Sequence, residues 1–305
     1  MTESQGYDTS FTLQDPSQKT LITGYRGFVG KHLLNRRKTV AFADEKGRID
    51  LSENERMDRF FLSQSIDRII HLAALSNVPE SFDNPNATIE TNLCGTVNLL
   101  NSLKRTRFVG RFLYVSSGDV YGKVEAKDLP ITELQPPNPT NPYAVSKLAA
   151  EHYCLQFAPS SGFDIIIARP FNHIGPGQTT RFVVPRLIEQ VYKASISCIN
   201  RPIIAGSLDV TRDFSDVRDI QKAYFALLNK GKNGEIYNVC SSAETQIGEL
   251  LSIAKNICKV NNRVALDKNS IRPNEQKRAQ GSNMKLRIHT GWAPTINPST
   301  TLNDM

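Results

Sequence analysis

The sequence predicts an α/β protein built on a doubly wound parallel sheet. Strand-like and helix-like segments alternate up to about residue 170, which is the order that successive βαβ units produce. Residues Arg68 to Ala74 form an almost continuous apolar run, as expected of a parallel strand that is covered by helices on both faces. Glycines at positions 24, 27 and 30 follow the first apolar run and allow a tight turn from strand to helix.

The first half of the chain supplies most of the predicted sheet. Short apolar runs predict strands at Thr20–Thr23, Thr39–Phe42, Arg68–Ala74, Arg111–Ser116 and Asp164–Ala168. Helical spacing of apolar residues between these runs predicts helices at Lys31–Arg37, Asn54–Ser63, Pro85–Lys104 and Tyr143–Phe157.

The alternation of strands and helices is interrupted at the start of the second half, because prolines and glycines cluster from Arg169 to Gly177. Beyond them we predict helices at Val183–Lys193, Ile220–Leu228 and Thr245–Cys258. An extended or turn-rich piece is predicted at Arg201–Asp209, and a short strand that could rejoin the sheet at Glu235–Cys240. We therefore expect a polar tail over residues 1–18, a sheet domain over 19–170 that also receives about 210–240, and an interleaved lobe over 171–305.

Composition and charge exclude several classes of protein. The formal net charge of +7 indicates anionic partners, but the basic residues are scattered, which favours a small polyanion over nucleic acid. No apolar run reaches the roughly 18 residues that a membrane span needs. The five cysteines are odd in number and widely spaced, so we expect reduced thiols in the cytoplasm and no metal site.

The glycine turn carries the first functional signal. Spacing of three between Gly24, Gly27 and Gly30 allows a pyrophosphate to approach the backbone closely, with the amides at the start of the next helix facing the anion. Taken alone, three glycines also fit an ordinary flexible loop. Their position near the N-terminus, directly after a strand, favours a dinucleotide site.

A second constellation carries the chemistry. Tyr143 and Lys147 lie four residues apart behind Pro142, so on a helix they share one face. A lysine ammonium there is expected to lower the pKa of the phenol and make it a usable proton donor or acceptor. Ser117, which follows the strand predicted at Arg111–Ser116, could hold a substrate oxygen. Each motif occurs by chance, but their combination downstream of the glycine turn predicts an enzyme.

Several motifs together resemble the extended short-chain dehydrogenase/reductase family that acts on nucleotide sugars. They are Thr-Gly-Tyr-Arg-Gly-Phe-Val-Gly, His-Leu-Ala-Ala, Ser-Ser-Gly-Asp-Val-Tyr-Gly, Tyr-Ala-Val-Ser-Lys and Arg-Pro-Phe-Asn-His-Ile-Gly-Pro-Gly-Gln. Within the family, residues 211–214 and 272–276 are most similar to the GDP-6-deoxy-4-keto-D-mannose reductases, which make GDP-D-rhamnose. The resemblance implies a Rossmann-type dinucleotide domain, a substrate-binding lobe, a GDP-sugar substrate, and a homodimer or dimer of dimers that pairs through helices Pro85–Lys104 and Tyr143–Phe157.

The resemblance also implies roles for individual residues. Ser117, Tyr143 and Lys147 would be catalytic, with Tyr143 protonating the substrate's C4 oxygen. Cofactor contacts would come from Gly24, Arg26, Gly27, Phe28, Val29, Gly30, Asp50, Leu51, Leu72, Ala73, Ala74, Tyr143, Lys147, Pro170 and His173. Substrate contacts would come from Ser117, Asn172, Arg186, Arg212, Arg272 and Glu275.

Two alternatives to a reductase remain open at the level of sequence. One is a GDP-mannose 4,6-dehydratase or another nucleotide-sugar dehydratase or epimerase. Related dehydratases usually carry a glutamate where this chain has Asp119, which could do limited base work or, as we prefer, fix its loop. The fold is also compatible with a sensor that binds a dinucleotide without turnover, although such a protein has no need for Tyr143 and Lys147 together.

The form of the cofactor is the remaining question. Asp44 near the end of the second strand would favour NAD(H), because a carboxylate repels a 2′-phosphate. Arg26, Lys46 and Arg48 could instead neutralise that phosphate, so we favour NADP(H) and keep NAD(H) possible. After Trp292 the chain is expected to lack the terminal helix that relatives carry.

Overall fold

A computed structural model of the protein describes residues 18–36, 38–197, 201–267 and 276–305. Its strands are β1 (Thr20–Thr23), β2 (Thr39–Ala41), β3 (Ala43–Asp44), β4 (Gly47–Arg48), β5 (Arg68–His71), β6 (Arg111–Val115), β7 (Asp164–Pro170), β8 (Asn172–Ile174), β9 (Ile203–Ala205), β10 (Thr211–Asp216), β11 (Ile236–Val239), β12 (Glu244–Gln246) and β13 (Val264–Leu266). Its α-helices are α1 (Phe28–Leu34), α2 (Asn54–Ser63), α3 (Val78–Asp83), α4 (Pro85–Ile89), α5 (Gly95–Arg105), α6 (Pro142–Ser161), α7 (Val183–Ile196), α8 (Val217–Lys230), α9 (Ile247–Ile257), α10 (Met284–Thr290) and α11 (Pro298–Asp304).

The central sheet confirms the predicted fold class. Within the described residues it has six strands, which pair in parallel in the order β11–β7–β6–β5–β1–β2. Strand β1 has β2 on one side and β5 on the other, so the chain winds outward from β1 in both directions. Ligands of such sheets bind beyond the carboxyl ends of the strands at this switch point. The turns after β1 and β5 therefore lie where a ligand is expected.

Helices cover both faces of the sheet. Along β6, Phe112 and Tyr114 join the core formed with α2, α5 and α6, whereas Leu113 and Val115 join the core formed with α1, α8 and α10. This alternation follows from the two-residue period of a strand. Because both faces are buried, the strands read as continuous apolar runs in the sequence.

The second half of the chain forms a lobe that is interleaved with the sheet. Its elements are the sheets β12–β10–β8 and β13–β9, with α7, α9 and α11 packed around a third core. Strand β11, which lies between lobe elements in the sequence, pairs with β7 in the central sheet. Pro170 ends β7 and Asn172 begins β8, so the chain passes from sheet to lobe at the carboxyl edge.

Three predictions about helices need correction. Helix α1 begins at Phe28, not Lys31, because Gly27 serves as its N-cap. The predicted helix Pro85–Lys104 contains a π-helical turn, Glu90–Cys94, between α4 and α5. A C-terminal helix is present: the Asn297 side chain accepts a hydrogen bond from the Thr300 amide and starts α11. Among the described helices, none is both long and apolar enough to cross a membrane.

Candidate active site

A cleft of about 2130 Å³ lies between the carboxyl edge of the sheet and the lobe. A single small ligand occupies roughly 300–1,000 Å³, so the cleft has room for two nucleotide-sized molecules. Of the predicted site residues it is lined by Gly24, Arg26, Gly27, Phe28, Val29, Gly30, Asp50, Leu51, Leu72, Ala73, Ala74, Ser117, Tyr143, Lys147, Pro170, Asn172, His173, Arg186 and Arg212. The other two, Arg272 and Glu275, lie outside the described residues.

The glycine turn packs directly against the end of β5. Gly24 has φ +66°, and a Cβ on it would lie 2.7 Å from the amide nitrogen of Ala73. A Cβ on Gly30 would lie 2.5 Å from the Gly24 carbonyl oxygen, so α1 could not approach the turn as it does. Gly27 caps α1, whose first-turn amides have no partner within the helix. The turn therefore fits the pyrophosphate of a dinucleotide.

A buried hydrogen-bond chain holds the two ligand-facing turns together. The Thr23 hydroxyl accepts from the amides of Leu72 and Ala73, both at 3.1 Å, and donates to Nδ1 of His71 at 2.7 Å. Nε2 of His71 donates to the Thr96 hydroxyl at 3.0 Å. Burial lowers the pKa of His71 to about 3, so the ring stays neutral. His71 is not among the residues that line the cleft. These amide bonds also explain why β5 ends at His71, before the predicted Ala74.

Helix α6 presents the predicted tyrosine and lysine on one face. The Asn141 side chain accepts from the Ala144 amide at 2.8 Å and Pro142 occupies the first turn, which fixes where the helix starts. Tyr143 and Lys147 are then one turn apart, with 9% and 3% of their surface exposed. Ser117 follows β6 as the N-cap of the next turn, and its hydroxyl is close enough to the Tyr143 phenol to lower the pKa of that phenol. The cleft thus brings all three predicted catalytic residues together.

The predicted lowering of the Tyr143 pKa is wrong for the free protein. Burial raises that pKa well above its ordinary value, the charge of Asp119 raises it further, and only the Ser117 hydrogen bond lowers it. A phenolate in this position would lose its hydration without gaining a full countercharge. Tyr143 is therefore held as the neutral phenol, which is the form that can donate a proton.

Lys147 is buried one helical turn beyond Tyr143 on α6. Its Nζ is 4.3 Å from the centre of the Tyr114 ring, and burial lowers the pKa of Lys147 to about 7. The nearest carboxylate along the helix, Glu151, is held by Arg169 through hydrogen bonds of 2.5 and 3.0 Å. That buried ion pair partly withholds the carboxylate from Lys147, so the lysine proton is available for exchange near neutral pH.

The lobe side of the cleft is basic. Asn172 and His173 enter it from β8, and Nδ1 of His173 donates to the Phe171 carbonyl at 3.0 Å. Arg212 donates from Nη1 to the carbonyls of Thr211 and Gln276, both at 2.8 Å. Arg186 projects from α7, and within the described part of the chain its guanidinium has no hydrogen-bond partner. Two guanidinium groups facing one cleft suit a diphosphate.

The charged residues that the sequence predicts near the cofactor differ in whether they line the cleft. Asp44 is engaged by Arg56 through hydrogen bonds of 2.8 and 2.5 Å, which lower the pKa of Asp44 to about 2, and it does not line the cleft. Arg26 and Arg48 do line the cleft, whereas Lys46 does not. Asp50 also lines it and accepts from the Ser52 amide and hydroxyl at 3.0 and 2.8 Å.

Sequence reasoning overlooked Asn92, which connects Leu75 in the lining of the cleft to Ser146 on helix α6. Its carboxamide accepts from the Leu75 amide at 2.8 Å and donates to the Leu75 carbonyl at 3.0 Å and the Ser146 hydroxyl at 2.9 Å. The Ser146 hydroxyl in turn donates to the Tyr143 carbonyl at 2.7 Å. Asn92 lies in the π-helical turn, and an asparagine on the apolar face of a helix was the signal that could have revealed it.

Comparison with known proteins agrees with this geometry. A family model described as GDP-mannose 4,6 dehydratase matches residues 44–305. The chain is 43% identical to the GDP-6-deoxy-D-mannose reductase of Pseudomonas aeruginosa, over 94% of this chain and 95% of that protein. It is 31% identical to the GDP-6-deoxy-D-talose 4-dehydrogenase of Aggregatibacter actinomycetemcomitans, over 79% and 80% of the two chains.

Structural comparison points the same way. The solved structure of RMD from Pseudomonas aeruginosa complexed with NADPH superposes with a TM-score of 0.88 at 42% identity, covering 94% of this chain and 97% of that one. The chain therefore belongs to the extended short-chain dehydrogenase/reductase family, among its nucleotide-sugar enzymes.

Proposed function

We propose that the protein reduces the 4-keto group of GDP-4-keto-6-deoxy-D-mannose to give GDP-D-rhamnose. The observation that carries this proposal is the buried Tyr143 phenol, which is kept neutral and lies beside Ser117 within a basic cleft. A ketone reductase needs one proton donor of this kind. The 43% identity to a GDP-6-deoxy-D-mannose reductase over most of the chain supports the choice of substrate.

Reduction of the ketone adds a hydride to C4 and a proton to its oxygen. A nicotinamide dinucleotide held by the glycine turn supplies the hydride. Ser117 donates a hydrogen bond to the C4 oxygen, and Tyr143 transfers its proton to that oxygen as negative charge develops there. Lys147, one turn farther along α6 and with its pKa lowered to about 7, would hold the nicotinamide ribose, and Asp119 opposes loss of the Tyr143 proton before the ketone is in place. Tyr143 then regains its proton from solvent.

The GDP part of the substrate lies along the lobe in this proposal. Arg186 and Arg212 hold the diphosphate and Asn172 contacts the sugar, with Arg272 and Glu275 contributing as the sequence predicts. Residues 19–170, joined by α8 and β11 from the region of about 210–240, bind the dinucleotide, and the rest of residues 171–305, with Arg212 on β10, binds the substrate. The described charged residues that line the cleft are mostly basic, which supports two anionic nucleotides side by side.

The direct test is turnover by the purified protein. With GDP-4-keto-6-deoxy-D-mannose, we expect NADPH consumption at 340 nm and a product identified as GDP-D-rhamnose by NMR. The C4 epimer, GDP-6-deoxy-D-talose, would instead indicate delivery to the opposite face of the ketone. Formation of a 4-keto-6-deoxy sugar from GDP-mannose alone would overturn the reductase in favour of a dehydratase that uses Asp119 as its base.

We further propose that NADP(H) is the preferred cofactor. Arg26 and Arg48 line the adenosine side of the cleft, whereas the carboxylate that would repel a 2′-phosphate, Asp44, is occupied by Arg56. A related structure contains NADPH. NAD(H) would bind the same turn without this phosphate contact.

Replacing Arg26 by glutamine tests the cofactor preference. We expect kcat/KM with NADPH to fall about ten-fold, the equivalent of one charge-assisted hydrogen bond, and kcat/KM with NADH to stay within two-fold. Lys46→Gln is the matched control, because this neighbouring cation is exposed and does not line the cleft. Equal losses with both cofactors would mean that Arg26 does not contact the 2′-phosphate.

We also propose that two copies pair through the helices that precede and contain the catalytic residues. Phe82, Ile89 and Val145 are 60%, 38% and 46% exposed and surround one shallow apolar hollow between α3, α4 and α6. A two-fold axis would place the same hollow of a second copy against it. Light scattering gives the mass that decides between one, two and four copies.

A further inference from the structure

Gln276 lines the cleft and is hydrogen-bonded to the loop that follows Ser117. Its side-chain oxygen accepts from the Val124 amide at 3.0 Å, and its side-chain nitrogen donates to the Val124 carbonyl at 3.2 Å. The same nitrogen donates to the Arg278 carbonyl at 2.7 Å. The carboxamide thus pairs with both backbone groups of Val124, as a neighbouring strand would.

Val124 belongs to a stiff loop that leads back to Ser117. Ser117 caps the 3-10 turn Gly118–Tyr121, and its hydroxyl accepts from the Asp119 amide at 3.1 Å. The turn ends at Gly122, which has φ +63° and where any Cβ would collide with the Asn138 carbonyl. The Asn138 amide also donates to the Val120 carbonyl at 3.0 Å. A displacement at Val124 is therefore expected to move Ser117 as well, because these contacts constrain residues 117–122.

On the lobe side, Gln276 is tied to the strand that carries Arg212. The Gln276 carbonyl accepts from the Arg212 guanidinium at 2.8 Å. The adjacent Asp213 is buried and accepts from the amides of Ser241, Ser242 and Gly281, which anchors residues 276–281 to β10. One residue therefore touches a guanidinium on the substrate side and the backbone of the Ser117 loop.

We propose that Gln276 is a positioning residue that couples the diphosphate-binding side of the cleft to the Ser117 loop. This rests on the proposed function only for the identity of the ligand, a nucleoside diphosphate sugar. When Arg212 binds that diphosphate, Gln276 holds Val124 in place. The loop that contains Val124 then keeps the Ser117 hydroxyl within hydrogen-bonding distance of the ketone oxygen. Gln276 itself contacts neither the reacting carbonyl nor Tyr143 in this scheme.

Three variants test the coupling. Gln276→Leu keeps the approximate volume and removes all three side-chain hydrogen bonds, and Gln276→Glu keeps only the acceptor for the Val124 amide. Gln280→Ala is the matched control, because the Gln280 side chain donates to the Ser242 carbonyl at 2.8 Å within the same segment and does not span the cleft. We expect Gln276→Leu to lower kcat about ten-fold, as small displacements of a positioned group do, with the KM for NADPH unchanged. Gln276→Glu should be intermediate and Gln280→Ala within two-fold of the unmodified protein.

Hydrogen exchange gives a readout that does not depend on turnover. In Gln276→Leu we expect faster exchange at the amides of residues 118–124, with GDP present and absent, and no such change in Gln280→Ala. Faster exchange confined to 123–125, or an equal loss of kcat in Gln280→Ala, would overturn the coupling. If the unmodified protein fails to reduce the GDP-sugar, the proposed function fails, and the exchange data still decide whether Gln276 controls the Ser117 loop.

Discussion

Replacing Tyr143 by phenylalanine is expected to lower kcat by about 10³-fold, because a positioned general acid contributes about 10²–10⁴-fold to such a step. The phenol lines the cleft together with Ser117, and burial together with Asp119 keeps it protonated. Phenylalanine preserves the ring and removes only the hydroxyl. The affinity for NADPH, measured by fluorescence titration, should stay within about two-fold, since Lys147 and the glycine turn are untouched.

Tyr121→Phe is the matched control for this variant. The Tyr121 hydroxyl is also buried and donates to the side-chain oxygen of Asn238 at 2.7 Å, but it does not line the cleft. Its removal costs about 1 kcal/mol of stability and should leave kcat within a few-fold. If Tyr143→Phe retained more than a tenth of the activity, another group would have to supply the proton and the assigned mechanism would fail.

The parts of the site that follow from local sequence were predictable. The glycine spacing, Ser117 and the four-residue separation of Tyr143 from Lys147 each describe a short segment with one favourable backbone geometry. The alternation of strand-like and helix-like segments likewise predicted the doubly wound sheet, because strands that are buried on both faces are apolar throughout. Such features can be predicted without knowledge of tertiary contacts.

Features that depend on tertiary burial were not predictable. The direction of the Tyr143 pKa was wrong, because the spacing to Lys147 is visible in the sequence and the depth of burial is not. Asp44 looked suited to a ribose until Arg56, twelve positions later, was found to occupy it. Helix α11 escaped notice because it is a single short segment with weak periodicity, started by the Asn297 cap and Pro298.

The buried pair of Glu151 and Arg169 gives the largest expected effect on stability. Both side chains are almost fully buried, at 0% and 3% exposure, and Arg169 also lies 4.7 Å from the centre of the Tyr121 ring. Arg169→Met should lower the free energy of unfolding by about 3–5 kcal/mol, because it leaves the buried Glu151 carboxylate without its ion-pair partner. Urea denaturation followed by circular dichroism measures this loss.

The double variant Glu151→Leu/Arg169→Met separates loss of the pair from loss of packing. Because it leaves no unpaired charge, it should be more stable than Arg169→Met alone. Additive losses would mean that the two residues act independently and would contradict a coupled pair.

The same substitutions should change the pKa of Lys147, which lies one turn from Glu151 on α6. In Arg169→Met the freed carboxylate faces this lysine and should raise its pKa above about 7, whereas the double variant removes that carboxylate. The ion pair between Arg169 and Glu151 is therefore also the interaction that partly withholds a counterion from Lys147.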